Sequence, residues 1–213
     1  MNPLTTLTLL SWIGLLAVLY GILQIAVQHF NIEIWDLRLS SWLISHATVG
    51  VSRLFEIITN LGRYLVIRNI AILITIWLLI NREWVRAAML VFLVIAANLI
   101  SRLLQRVVER DRPDFPQDFL RGVEYSFPSG HTMLATAFYL MVIYLTWVSF
   151  GGTMIGWTII AIGLALIVLV GISRIYLGVH FTTDVLGGWI AGLILFFMVI
   201  MIGNLLTAYL ITN

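Results

Sequence analysis

The feature that most constrains this chain is a series of long apolar runs. Residues 185–210 contain no charged side chain, and neither do residues 154–172. A helix crossing the roughly 30 Å hydrocarbon core of a bilayer needs about 20 mostly apolar residues. Within lipid, only helices and closed barrels satisfy their own backbone polar groups. Six stretches answer to a helical span: approximately 7–28, 64–80, 87–105, 132–149, 154–172 and 185–210. The second is short, and Arg63 and Arg68 at its start would snorkel toward the surface. Composition points the same way, with 61% hydrophobic and 10% charged residues, against about 25% charged in a typical soluble domain. The expected fold is an all-α integral membrane protein, a six-transmembrane-helix bundle forming one domain over 1–213. The first run lacks a basic leader and a small-residue cleavage site, so it reads as a retained span and not as a signal peptide. The absence of cysteine excludes disulfides and thiolate zinc sites.

The connections are unequal. "NREWVR" at 81–86 and "SFGGT" at 149–153 are tight polar turns, and Trp84, Trp147 and Trp157 lie at or beside them as interfacial aromatics do. Segment 29–63 is longer. Trp35, Leu39, Trp42 and Leu43 recur there at i, i+4, i+7 and i+8, with Arg38, Ser41 and Ser45 elsewhere, which predicts a short amphipathic helix on the membrane surface. Segments 106–131 and 173–184 hold most of the remaining polar chemistry. Two spans separate them, so both lie on one membrane face, and 29–63 shares it. Gly163, Gly187, Gly188 and Gly192 are expected to allow close helix packing, the Gly188–Gly192 pair within the bundle in preference to a dimer contact.

The chemistry-bearing residues are individually ambiguous. His180 and Asp184 are four apart, a spacing that on a helix puts both on one face. A carboxylate on one ring nitrogen fixes the tautomer and raises the basicity of the other, which makes a nucleophile; the same pair could simply tie a helix end to a loop. In "FPSGHT", Ser129 is a candidate cap for the helix that follows Pro128, leaving the amides of Gly130 and His131 as free donors. A helix amino terminus attracts anions, Gly130 permits close approach, and His131 would stand beside the anion to exchange a proton. Alone, this is an ordinary cap with an interfacial histidine. Arg106, Arg110 and Arg112 precede Pro113, and all 12 basic residues of the chain are arginine. Arginine clusters grip phosphate by paired contacts, although they also bind lipid headgroups. Asp111, Asp114, Asp118 and Glu124 follow without a trusted metal-ligand spacing and read as solvated partners of the arginines. Taken together on one face, two histidines, an orienting carboxylate and several arginines fit attack on phosphorus and protonation of a leaving oxygen.

These residues resemble those of the type 2 phosphatidic acid phosphatases, which share their site with the vanadium haloperoxidases. That pattern runs Lys-x6-Arg-Pro, Pro-Ser-Gly-His, Ser-Arg-x5-His-x3-Asp. Here the second motif is Pro128-Ser129-Gly130-His131 and the third is Ser173, Arg174, His180 and Asp184; the first ends correctly at Arg112-Pro113 but opens on Gln105 where the family has lysine. The resemblance implies that His180 is the nucleophile and forms a phosphohistidine, that Asp184 orients it, and that His131 protonates the leaving group and then activates water. It implies a phosphate held by Arg112, Arg174, Ser129 and the Gly130 amide, without a metal or other cofactor. Gln105 is carried as a weaker phosphate contact, with Arg106 or Arg102 supplying the missing charge.

The expected function is hydrolysis of lipid phosphate monoesters or pyrophosphates: phosphatidylglycerophosphate, undecaprenyl pyrophosphate or phosphatidic acid. A phosphotransferase using a hydroxyl acceptor and a non-catalytic lipid-phosphate binding or transport protein are the alternatives. The partners implied are the lipid substrate and the bilayer, with no nucleic acid. The motif face carries most of the arginines, which the positive-inside rule would place in the cytoplasm. The resemblance implies the reverse, a bacterial plasma membrane protein with its site on the extracytoplasmic face. That orientation is the one expected, because the motif arginines are retained for phosphate.

Overall fold

The structure, a computed structural model, describes residues 3–30, 32–46, 48–113 and 125–212. Eight helices are present among them: α1 Pro3–His29, α2 Glu33–Ser45, α3 Val49–Asn60, α4 Tyr64–Ile80, α5 Trp84–Val108, α6 Gly130–Phe150, α7 Met154–Tyr176 and α8 Thr182–Thr212. The expected all-helical membrane bundle is formed. Helices α1, α5, α6, α7 and α8 are each long and apolar enough to span a membrane. A sixth candidate span is α4, which has 17 residues, taken together with α3 across a 49° bend.

Helix α6 is central, packing against α8, α7, α5 and α4. Its buried surface runs around much of the helix, from Thr132 to Thr146, as expected of an element walled on all sides. Helix α1 lies outside and packs chiefly on α8, α3 packs on α7, and α2 touches the motif-side ends of α7 and α8. The outward surfaces carry exposed Leu, Ile, Val and Phe, the composition of a lipid-facing wall. On the face opposite the motifs, Trp147 and Trp157 stand edge to face at 5.6 Å.

The α6–α8 seam brings the two complete motifs together. A Cβ on Gly188 would sit 2.8 Å from the Ser129 carbonyl oxygen, and one on Gly192 would sit 2.7 Å from Thr136 Cβ. Both glycines therefore let backbones approach within the bundle.

Segment 29–63 holds two helices where the sequence pattern predicted one. Helix α2 lies at the motif side and turns its tryptophans outward, with Trp35 and Trp42 well exposed. The side it buries is polar: Asp36 is 3% exposed and Ser40 is fully buried. The apolar stripe thus meets the bilayer interface, and the polar stripe meets the protein.

Candidate active site

Three segments converge at the motif-side ends of α5, α6, α7 and α8. The first is the turn before α6. Ser129 caps that helix: its Oγ accepts from the Thr132 amide at 3.4 Å and from the Thr132 hydroxyl at 2.9 Å. The first-turn amides of Gly130 and His131 remain as donors at a helix amino terminus. Gln105, on α5, donates from Nε2 to the Pro128 carbonyl at 3.0 Å. Its amide is therefore engaged in holding the Pro-Ser-Gly turn.

The second segment, 177–181, links α7 to α8. Arg174, in the last turn of α7, accepts the Val179 and His180 amides on its carbonyl at 3.1 and 3.2 Å. This fold-back aims His180 into the bundle, where it is 2% exposed. His180 precedes α8, so the pair forms across the helix start and not along one helical face. His180 Nδ1 lies 3.2 Å from Asp184 Oδ2, which also accepts the Phe181 amide at 2.9 Å. A first-turn carboxylate receiving the amide just before its helix is a capping arrangement.

The third segment is 109–113, beyond α5. Arg112 Nη1 donates to the Val179 carbonyl at 2.8 Å and lies 3.3 Å from His180 Nε2; Nη2 donates to the Tyr125 carbonyl at 2.9 Å. An arginine offers donors only, so Nε2 is the unprotonated nitrogen and Nδ1 carries its proton toward Asp184. Burial first, then the charges of Arg112 and Arg174, hold the His180 imidazole well below the usual histidine range. The ring is therefore neutral near pH 7, with the lone pair of Nε2 directed at Arg112.

Arg174 is buried and donates from Nη1 to Thr59 Oγ1 at 2.7 Å. The Nε atoms of both Arg112 and Arg174 are buried and have no hydrogen-bond partner among the described residues. Two unpaired guanidinium donors beside a neutral imidazole and a helix amino terminus form a receptor for an anion with several oxygens. Arg106 is exposed and joins none of these bonds, whereas Arg102 lines a cavity with His131. Asp111 is exposed; Asp114, Asp118 and Glu124 lie outside the described residues.

A second layer was not read from the sequence. Arg110 Nη1 donates to Asp184 Oδ1 at 2.6 Å and to Thr183 Oγ1 at 2.7 Å, while Nη2 donates to Asp36 Oδ2 at 2.8 Å. Asp36 also accepts the Thr183 amide at 3.0 Å and the Thr183 hydroxyl. Arg110 additionally lies over the Phe181 ring, 4.1 Å from its centroid. The chain Asp36–Arg110–Asp184–His180 thus reaches from the surface helix to the imidazole. The available sequence signal was Asp36 itself, an acid on the helix side opposite the tryptophans.

Asp36→Asn keeps the shape of the side chain and removes its charge. With Arg110 released from α2, kcat for any reaction that His180 serves is expected to fall about 100-fold through misplacement of that ring. KM should stay within a few-fold, because the anion-facing donors are intact. Steady-state kinetics on the purified variant measure this; an unchanged kcat would remove Asp36 from the positioning chain.

Known proteins give the context for this geometry. A phosphatidylglycerophosphatase B of Bacillus subtilis is 47% identical over 107 residues, 48% of this chain and 50% of that protein. The chain thus spans about half the length of that relative. An undecaprenyl-diphosphatase of the same organism is 28% identical over 163 residues, 74% of this chain and 79% of the other. The crystal structure of a transmembrane PAP2 type phosphatidylglycerolphosphate phosphatase from Bacillus subtilis superposes with a TM-score of 0.81 at 30% identity, covering 88% of this chain and 93% of that one. Residues 86–207, more than half of the sequence and including both complete motifs, match the PAP2 superfamily. The chain belongs to the PAP2 superfamily.

Proposed function

We propose that this protein hydrolyses phosphate monoesters or diphosphates of membrane lipids through a phosphohistidine on His180. The observation that carries this reading is the state of that ring, with Nδ1 on a buried carboxylate and Nε2 facing Arg112, whose Nε donor is unpaired. In the first step Nε2 attacks phosphorus. The bond to the leaving oxygen breaks, its electron pair stays on that oxygen, and His131, having taken up a proton together with the incoming phosphate anion, donates it. In the second step His131 takes a proton from water, the hydroxyl attacks phosphorus, and the P–N bond breaks to return neutral His180 and inorganic phosphate. Arg112, Arg174, Ser129 and the Gly130 amide bear the charge on the equatorial oxygens. These groups supply nucleophile, acid, base and counter-charge, so the reaction runs without a metal.

The site at the motif-side helix ends supports a lipid substrate, whose phosphate would enter the arginine receptor while its tails stay in the bilayer. Phosphatidylglycerophosphate and an undecaprenyl diphosphate are the preferred substrates, in keeping with the activities after which the similar proteins are named. Rapid quenching with labelled lipid phosphates tests the chemistry. The expected result is an acid-labile, base-stable phosphoenzyme in the wild type and none in His180→Ala, with turnover unaffected by chelator. Full turnover by His180→Ala would refute it.

The membrane is the bacterial plasma membrane, with the site on its extracytoplasmic face. His46 is exposed on the motif side and the chain has no cysteine, so His46→Cys introduces a unique probe. A membrane-impermeant thiol reagent should label it in intact cells; labelling only after the cells are opened would reverse the orientation.

A further inference from the structure

Helix α5 is apolar along most of its length, yet near its motif-side end Asn98, Ser101, Arg102 and Gln105 fall at i, i+3, i+4 and i+7. That spacing forms one polar stripe on a membrane-spanning helix. Polar side chains within a span are costly, and such positions mark functional surfaces. The stripe faces a cavity of about 180 Å³ between α4, α5 and α6, whose lining includes Tyr64 and His131 along with these four residues. Two of the four have local partners: Gln105 holds the Pro128 carbonyl, and Ser101 Oγ donates to the Asn98 carbonyl at 3.1 Å. Arg102 has no ion pair or hydrogen bond among the described residues and is exposed at the cavity's edge.

The cavity's position decides what it can hold. Its lining includes His131 but not His180. In an in-line displacement the leaving group departs on the side opposite the nucleophile. A cavity on the His131 side of the receptor therefore receives the leaving group, and the charge waiting there is a cation. We infer that this cavity is a leaving-group subsite in which Arg102 binds a second anionic phosphorus–oxygen group, one bond or a short linker beyond the phosphate that is cleaved. This rests on the lipid phosphatase reading above and adds a basis for substrate choice. It also divides two tasks at the position of the family's lysine: Gln105 holds the turn, and Arg102, one turn earlier, provides positive charge directed at the leaving group. The second anion could be the inner phosphate of a prenyl diphosphate or the phosphodiester of phosphatidylglycerophosphate.

The test compares kcat/KM within matched pairs: a prenyl diphosphate against the monophosphate of the same prenyl chain, and phosphatidylglycerophosphate against phosphatidic acid with the same acyl chains. In Arg102→Gln the ratio of the doubly anionic to the singly anionic substrate should fall about tenfold, the loss of one charge-assisted contact. Arg102→Lys should recover part of the ratio. Arg68→Gln, the same charge change on α4, should leave the ratio within twofold of the wild type. A fall in one pair alone supports the subsite and identifies the source of the second anion; a fall in both supports it for either source. Ratios unchanged in both pairs, or equal losses on both members of each pair, overturn it. Wild-type protein that releases phosphate from none of the four lipids would defeat the phosphatase reading itself, an outcome separate from failure of the subsite.

Discussion

The buried carboxylate of Asp184 is the point on which the rest of the site depends. It is fully buried and accepts from His180 Nδ1, the Phe181 amide and Arg110, while its carbonyl oxygen accepts the Ser129 amide at 2.9 Å. A buried carboxylate lacking such partners would cost several kcal/mol. Satisfying this residue therefore fixes four things at once: the His180 tautomer, the first turn of α8, the start of α6 and the arm that carries Arg110 and Arg112. The histidine motif and the Pro-Ser-Gly-His motif are joined by one residue, through its side chain on one side and its backbone on the other.

The bilayer explains why so much polar bonding is gathered here. Along the spans, helix packing gains little from the hydrophobic effect, since lipid tails are as apolar as leucine, and close fit takes its place. Gly188 and Gly192 provide that fit where α8 crosses α6. At the motif-side ends, each helix terminus leaves backbone groups without partners, and side chains from neighbouring segments complete them. Gln105 serves the Pro128 carbonyl, Arg112 the Val179 and Tyr125 carbonyls, and Ser126 Oγ the carbonyls of Arg110 and Asp111 at 3.2 and 2.9 Å. Two guanidinium Nε atoms are left over, on Arg112 and Arg174, and Nη1 of Arg112 lies 3.3 Å from the imidazole nitrogen that would meet phosphorus.

Much of this could be read from the chain because its two signals are strong ones. Apolar runs long enough to cross a bilayer leave little choice of fold, and two crossings between the motifs force them onto one face. The remainder depends on contacts between residues far apart in sequence. Asp36 and Arg110 are 74 residues apart, and no local pattern announces their pairing. In α2 the periodicity gave a surface helix with its tryptophans outward, but it did not show that the polar side carrying Asp36 and Ser40 would be buried against the protein. The spacing of His180 and Asp184 suggested a shared helical face, yet the histidine stands before the helix and the carboxylate caps it. Gln105 reads as a weaker phosphate contact by alignment to a motif; its bond to the Pro128 carbonyl, which no local pattern announces, adds a hold on the turn.

The central claim is that Asp184 presents Nε2 of His180 to a phosphorus atom held by Arg112 and Arg174. Orthovanadate mimics the five-coordinate state of that atom, so an experimental structure of the wild-type protein soaked with it is the most direct measurement. Vanadium is expected at bonding distance from His180 Nε2, with oxygens on Arg112, Arg174 and the Gly130 amide and the apical oxygen toward His131. Vanadium bound to His131, or held away from both histidines, would contradict it.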